Sequence, residues 1–340
     1  MPRLVASVIA TVVVMATLSH DPLWPRAGAW PALADLEPGA SVDLALLGVP
    51  AWRTSLSPTN THATPAAIRA ALQRYSPALM PDRTRPESLE PRDLGGPGGL
   101  RFADAGDIDE PDGPAGEART IATVADALDR STAVVALGGD NSVTVATALG
   151  AWGADLDRAG LVTIDAHYDL RDGVSNGSPV RRLVEAGLDG RRVVQIGIAD
   201  FANSAAYARR AADLGITVIH RDELHSRRPA EVMAEALEIA GAAGGPVHLD
   251  VDVDACDRSV APACPASVPG GLTAWELRAL VRAAASDRRV RSADLVEIDA
   301  TTDAPDERTV RLAALCVLEF AAGLAARPSR HARPGGRLAP

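Results

Sequence analysis

Seven apolar runs, most of them rich in Val, Ile and Leu, recur along the chain with amphipathic helical stretches between them. They are Val42–Val49, Ala133–Leu137, Leu161–Asp165, Arg192–Ile198, Ile216–His220, Val247–Asp252 and Ala293–Ile298. Helical periodicity covers Pro65–Tyr75, Ala118–Arg130, Val143–Leu156, Pro179–Gly187, Ala205–Leu214, Pro229–Ala240, Ala274–Ala285 and Thr309–Ala325. Strands that are apolar throughout must be covered on both faces, and the helices between them supply that cover. The alternation predicts an α/β fold with a mainly parallel sheet.

Between Ser76 and Gly116 no period survives among the Pro, Gly, Asp and Arg residues, and the stretch reads as a long surface loop. The alternation continues on both sides of it, so residues 15–326 are expected to form a single domain. Residues 1–14 are expected to be a non-native or disordered extension, and residues 327–340 a disordered tail. Leu4 to Ala16 resembles the apolar core of a signal peptide but is too short to span a bilayer. No small-x-small cleavage site follows, so a start at Met15 is the expectation.

With 47% hydrophobic residues the chain can bury a full core, which excludes a disordered protein. Aromatics make up only 3%, so that core must be built from Ala, Val, Leu and Ile. The net charge is −10 and all 34 basic residues are Arg, which argues against a nucleic-acid partner and gives no sign of membrane binding. Cys256, Cys264 and Cys316 form no framework, which fits a reducing, cytoplasmic setting.

The polar residues gather where strands run out. Asp165, His167 and Asp169 follow one apolar run; Asp250, Asp252, Asp254 and Asp257 end another. Gly138-Gly139-Asp140-Asn141-Ser142 follows a third, and Glu297 a fourth. Ligands bind beyond the carboxyl ends of parallel strands, so these groups are expected to converge. Alternation puts Asp165, His167 and Asp169 on one side, and Asp252 and Asp254 on one side. Carboxylates brought together repel unless cations intervene. Carboxylates with an imidazole suit Mn²⁺ better than thiolate-preferring zinc.

On these motifs, with Pro269-Gly270-Gly271 and Glu297 through Asp303, the chain resembles the ureohydrolase superfamily of arginases, agmatinases and formimidoylglutamases. The likeness runs over about residues 40 to 326. It implies a three-layer α/β/α fold with an eight-stranded, mainly parallel sheet, and two Mn²⁺ ions per chain. By position Asp165, His167, Asp169, Asp252 and Asp254 match metal ligands, with Asp165 and Asp254 bridging the ions. A hydroxide shared by the two ions would attack an amidine or guanidine carbon. Glu297 matches the carboxylate that pairs with the substrate's cation, and with His167 and Asp169 it makes up the expected catalytic set.

Two departures stand out. Asn141 occupies the place of a His that usually ligates the first metal, which predicts a weaker first site. Asn176 stands where arginases and agmatinases carry a proton-transferring His. Ala261-Pro262-Ala263-Cys264-Pro265-Ala266 is similar to the formimidoylglutamase branch, which implies hydrolysis of N-formimidoyl-L-glutamate to L-glutamate and formamide, a step of histidine breakdown. Two alternatives remain: release of urea from agmatine or a guanidino acid, and a metal-poor, non-catalytic relative. Arg171, Arg181 or Arg182 would meet the substrate's carboxylates, and Asn176 and Cys264 are further candidate contacts, although Cys264 reads slightly better as packing. His248, inside a strand run, is expected to be a satisfied core residue, whereas His62 lies near the expected mouth. The relatives are homo-oligomers, which extends that expectation to this chain.

Overall fold

The structure, a computed structural model, describes residues 18–83 and 90–327. The expectations for residues 1–14, for the apolar run up to Ala16 with its start at Met15, and for the tail past 327 lie outside the described residues. Ten strands are described: β1 (Val42–Val49), β2 (Ala78–Leu79), β3 (Arg92–Asp93), β4 (Phe102–Asp107), β5 (Ser131–Gly138), β6 (Gly160–Ile164), β7 (Val193–Ile198), β8 (Thr217–His220), β9 (Val247–Asp252) and β10 (Val290–Val296). The α-helices are α1 (Thr64–Leu72), α2 (Gly113–Asp129), α3 (Val143–Trp152), α4 (Pro179–Ala186), α5 (Ala205–Asp213), α6 (Pro229–Ala240), α7 (Ala274–Ser286) and α8 (Arg308–Ala326).

Eight strands form one sheet in the order β4-β1-β5-β10-β9-β6-β7-β8, and every pairing in it is parallel. The expected eight-stranded α/β/α architecture is the observed one. Helices α1, α6, α7 and α8 cover one face, where the largest apolar cluster lies. Helices α2, α3, α4 and α5 cover the other, over two smaller clusters. Helix starts follow local chemistry. The Thr273 hydroxyl accepts from Glu276 N at 3.2 Å while the Glu276 carboxylate accepts from Thr273 N at 2.7 Å, a capping box that fixes where α7 begins.

The stretch 76–116 is not the structureless loop that its composition suggests. It holds the antiparallel pair β2–β3, the edge strand β4 and the first turn of α2. Phe-Ala-Asp-Ala-Gly-Asp carries no β-branched residue, and only Phe102 and Ala103 of β4 are buried. Beyond β1, among the described residues β4 meets only an isolated bridge from Ala32 to Asp104, and a strand at the sheet's edge needs no continuous apolar run.

Helix α8 is the one helix among the described residues long and apolar enough to cross a membrane. Most of its apolar window is buried in the core, against α7 and α1.

Candidate metal centre

Strand register brings the acidic residues together. Ile164 pairs with Val251, and Asp252 pairs with Val296, so Asp165, Asp252 and Glu297 leave neighbouring strands at nearly one level. Leu137 pairs with Leu295, which delivers Gly138 to Asn141 beside them. Gly139 is required there. A Cβ on it would stand 1.9 Å from the Ala51 carbonyl oxygen, because the exit of β1 crosses against it.

Two carboxylates fold the chain back at their own strand ends. Asp165 Oδ1 accepts from His167 N at 2.7 Å, and Asp252 Oδ1 accepts from Asp254 N at 2.8 Å. These turns aim His167 and Asp254 at one another, with His167 Nδ1 3.1 Å from Asp254 Oδ2 and 3.4 Å from Asp165 Oδ1. One ligand atom each from Asp165, His167 and Asp254 lies within 4.8 Å of the other two. Asp169 and Glu297 both adopt left-handed backbone, φ 53° and 65°, a strained conformation for side chains of their kind.

Asn141 closes the other half of the site. Its Nδ2 donates to Asp169 Oδ2 at 2.5 Å and to Asp252 Oδ2 at 3.2 Å, while its Oδ1 accepts from the Thr144 hydroxyl at 2.7 Å. The amide therefore turns its nitrogen, not its oxygen, toward the carboxylates. Glu297 Oε1 accepts from Asn141 N at 2.7 Å and from Asn176 Nδ2 at 2.8 Å.

The electrostatics describe a site short of positive charge. Burial first, then the Asp254 charge, pushes Asp165 up to about 6. Burial also drives Asp169 and Asp252 well above the ordinary carboxylate range, helped next by Asp165 and by Asp254 respectively. Burial and the Asp140 charge raise Glu297 to about 8. The His167 imidazole is pushed up to about 12, chiefly by Asp254 and against the cost of burial. Asp254 alone is held below its usual value; burial opposes this, and the charge on His167 prevails.

Asp165 Oδ2 and Asp254 Oδ1 are buried and meet no hydrogen-bond donor among the described residues. Orphaned carboxylate oxygens of this kind cost several kcal/mol unless something positive meets them. Oxygen donors plus one imidazole fit a hard or borderline divalent ion such as Mn²⁺. The residues present therefore fit the expected metal.

The candidate substrate contacts are scattered. Arg171 is exposed, its side chain laid over Gly177, where a Cβ would meet Arg171 Cδ at 2.7 Å; its guanidinium has no partner among the described residues. Arg182 does not stand free: its Nη2 pairs with Glu117 at 2.8 Å, in a cavity of about 270 Å³ also lined by Thr54, Ser142, Asp112 and Val174. Arg181 is taken up by the carbonyls of Arg171 and Gly173 and by Glu185. Cys264 is fully buried, in keeping with packing, and burial pushes its thiol well up. His248 is a satisfied core residue, between Ser292 Oγ at 2.7 Å and Asp294 Oδ2 at 3.0 Å. His62 is exposed beside Trp52, ring centres 5.4 Å apart.

Sequence reasoning gave no role to two residues that build the site. Buried Asp140 gathers Ser142 N and the hydroxyls of Ser142, Ser55 and Thr54, fastening the segment after β1 to the start of α3. Asp112 Oδ1 accepts from Trp52 N at 3.1 Å and Arg53 N at 2.8 Å. The Gly-Gly-Asp run signalled the first; nothing local signalled the second.

A family model described as the arginase family matches residues 42–323. The chain is 31% identical over 287 residues to the formimidoylglutamase of Halalkalibacterium halodurans, covering 82% of this chain and 86% of that one. Its fold matches the crystal structure of formimidoylglutamase from Bacillus subtilis with a TM-score of 0.78 at 27% identity, over 93% of this chain and 96% of that one. A Trypanosoma cruzi formiminoglutamase solved with Mn²⁺ has the same fold, TM-score 0.72 at 24% identity, over 84% and 95% of the two chains.

Proposed function

This chain belongs to the arginase family, and from that premise we propose that it hydrolyses N-formimidoyl-L-glutamate to L-glutamate and formamide in histidine breakdown, with Mn²⁺ as its metal. The enzyme is a hydrolase of the class that acts on linear amidines. The observation that carries the reading is the meeting of Asp165, His167 and Asp169 after β6 with Asp252 and Asp254 at the end of the adjacent β9, with Glu297 after β10 beside them.

Asp165, His167, Asp169, Asp252 and Asp254 would hold two ions, with Asn141 as the weak sixth ligand. Bound divalent metal supplies water that ionises near neutral pH. Glu297 takes the N–H groups of the substrate's amidinium, since its Oε1 is already fixed by two donors and its Oε2 accepts none among the described residues. Asp169, gripped by Asn141 Nδ2, is placed to accept the proton lost by water and return it to the leaving nitrogen. The C–N bond to the glutamate nitrogen breaks, water oxygen becomes the formamide carbonyl, and the amine leaves with the proton.

For the substrate's carboxylates we assign Arg171, because Arg182 is already neutralised by Glu117 and Cys264 is sealed from solvent. A cytoplasmic setting is supported by three buried, unpaired cysteines. The proposal includes a homo-oligomer, which light scattering of the purified protein tests.

The deciding experiment incubates Mn²⁺-loaded enzyme with N-formimidoyl-L-glutamate, agmatine and guanidino acids. Formamide from the first substrate is the expected product. Urea from agmatine alone would replace the substrate assignment, and no turnover with less than about one ion per two chains would leave a non-catalytic relative.

A further inference from the structure

One side chain joins Glu297 to the segment between β1 and α1. Asn176 donates from Nδ2 to Glu297 Oε1 at 2.8 Å and accepts at Oδ1 from Leu56 N at 3.0 Å; its own N–H reaches the Thr54 carbonyl at 3.3 Å. Residues 51–60 otherwise depend on polar fastenings: the Asp112 and Asp140 carboxylates at one end, and Asp299 Oδ2, which takes Asn60 N at 2.8 Å, at the other. Leu56 is 57% exposed, so apolar burial contributes little to seating it. Segments held this way open at low free energy.

An amide suits this bridge. Both ends are used at once, a donor toward a carboxylate and an acceptor toward a backbone N–H, and a planar Asn amide carries the two on one carbon. Gly177 next to it leaves room for Arg171 and Leu56 to lie against the backbone; a Cβ there would stand 2.7 Å from Arg171 Cδ and 3.2 Å from Leu56 Cδ1.

We infer that Asn176 is a positioning residue that couples the seating of the 51–60 segment to the aim of Glu297. Fixing Oε1 through Asn176 leaves Oε2 for the substrate. The role of Glu297 toward an amidinium rests on the function proposed above; the coupling itself does not.

The test uses full-length Mn²⁺-loaded enzyme and two readouts. Steady-state kinetics on N-formimidoyl-L-glutamate should show Asn176→Ala and Asn176→Asp raising KM about tenfold or more, with kcat falling less and the Mn²⁺ count unchanged. Hydrogen exchange should show the peptide covering residues 52–57 exchanging about fivefold faster or more in Asn176→Ala. Glu297→Ala should speed the same peptide and add little further in an Asn176→Ala background, which separates the Asn176 route from the one through Asn141 and Asp140. A residue that merely holds the segment would not transmit the Glu297 change. Exchange at 52–57 unaltered by Glu297→Ala, or KM within twofold of wild type in both Asn176 variants, would overturn the inference. Should the wild-type enzyme turn over no amidine, the hydrolase reading falls, and the exchange comparison still decides the coupling.

Discussion

Strand β9 shows the two faces of the sheet in six residues. Val247, Leu249 and Val251 enter the apolar cluster beneath α6, α7 and α8, whereas His248, Asp250 and Asp252 point to the side covered by α3. Register extends the polar side across four strands. Asp294, Asp250, Thr163 and Gln195 lie side by side, one step below the metal residues, with Ser292 and His248 one step lower still. Satisfaction fades on the way up. Among the described residues His248 has partners at both ring nitrogens; Asp294 gives Oδ2 to His248 and Thr147 while its Oδ1 meets no donor; Asp250 lies against Asp294 and neither of its oxygens meets a donor; Asp165 and Asp254 each present an orphan. One face of the sheet is devoted to cohesion. The other accumulates unmet negative charge toward the strand ends, where a cation can answer it.

The largest expected effect removes the top of that gradient. Asp254→Ala should cost more than about a hundredfold in activity and abolish Mn²⁺ retention, because it deletes one ligand and leaves the other carboxylates repelling. Metal analysis after gel filtration checks it, and full activity in the variant would dissolve the proposed centre. The matched change on the other face is Leu249→Ala, at a fully buried position. It should lower unfolding free energy by about 2–5 kcal/mol and leave the Mn²⁺ count intact. Equal damage to both properties in both variants would mean that the faces are not functionally distinct.

A gentler probe changes pH without changing sequence. Asp165 and Glu297 have folded values of about 6 and about 8, above their unfolded values of 3.8 and 4.5. The folded protein thus holds protons that the unfolded chain has released, so stability falls with rising pH. In metal-free protein the contribution is complete below about pH 4 and disappears as pH climbs through about 6 and about 8, a loss on the order of a few kcal/mol. Thermal melts at fixed ionic strength should display that decline, and Mn²⁺ should reverse it. A flat metal-free profile between about pH 5 and about pH 9 would show that the buried acids are already neutralised by some other means.

The contrast between faces also explains what could be read from the chain. Strands such as Val193–Ile198 stand out because burial on both sides writes a continuous apolar run, and the acids at their ends stand out against it. Edge strand β4 has no such run and was lost among Pro, Gly and Asp. The pairing of Arg182 with Glu117 joins residues 65 positions apart, and the grip of Asp112 on Trp52 and Arg53 spans about as many; helical or strand period carries no trace of either. Left-handed backbone at Asp169 and Glu297 was equally silent, since no glycine marks it. Asp250 was visible as a residue, but its lack of a donor among the described residues is a property of four strands in register.

The smallest expected effect lies at Asn141, where the two roles of the polar face meet. Its NH₂ donates to Asp169 and Asp252. Ligating a metal requires the amide to turn over and present Oδ1. Thr144 eases that turn, because its hydroxyl donates to Oδ1 in one orientation and can accept from Nδ2 in the other. Asn141→His replaces a neutral amide oxygen with imidazole and should tighten the weaker Mn²⁺ site by about tenfold. Thr144→Val should loosen that site in the Asn141 enzyme, since neither amide orientation is then supported, and should have less effect beside the imidazole that N141H introduces. Titration calorimetry of the four combinations measures the coupling directly. Independent, additive effects of N141H and T144V would show that Thr144 does not hold the amide for the metal.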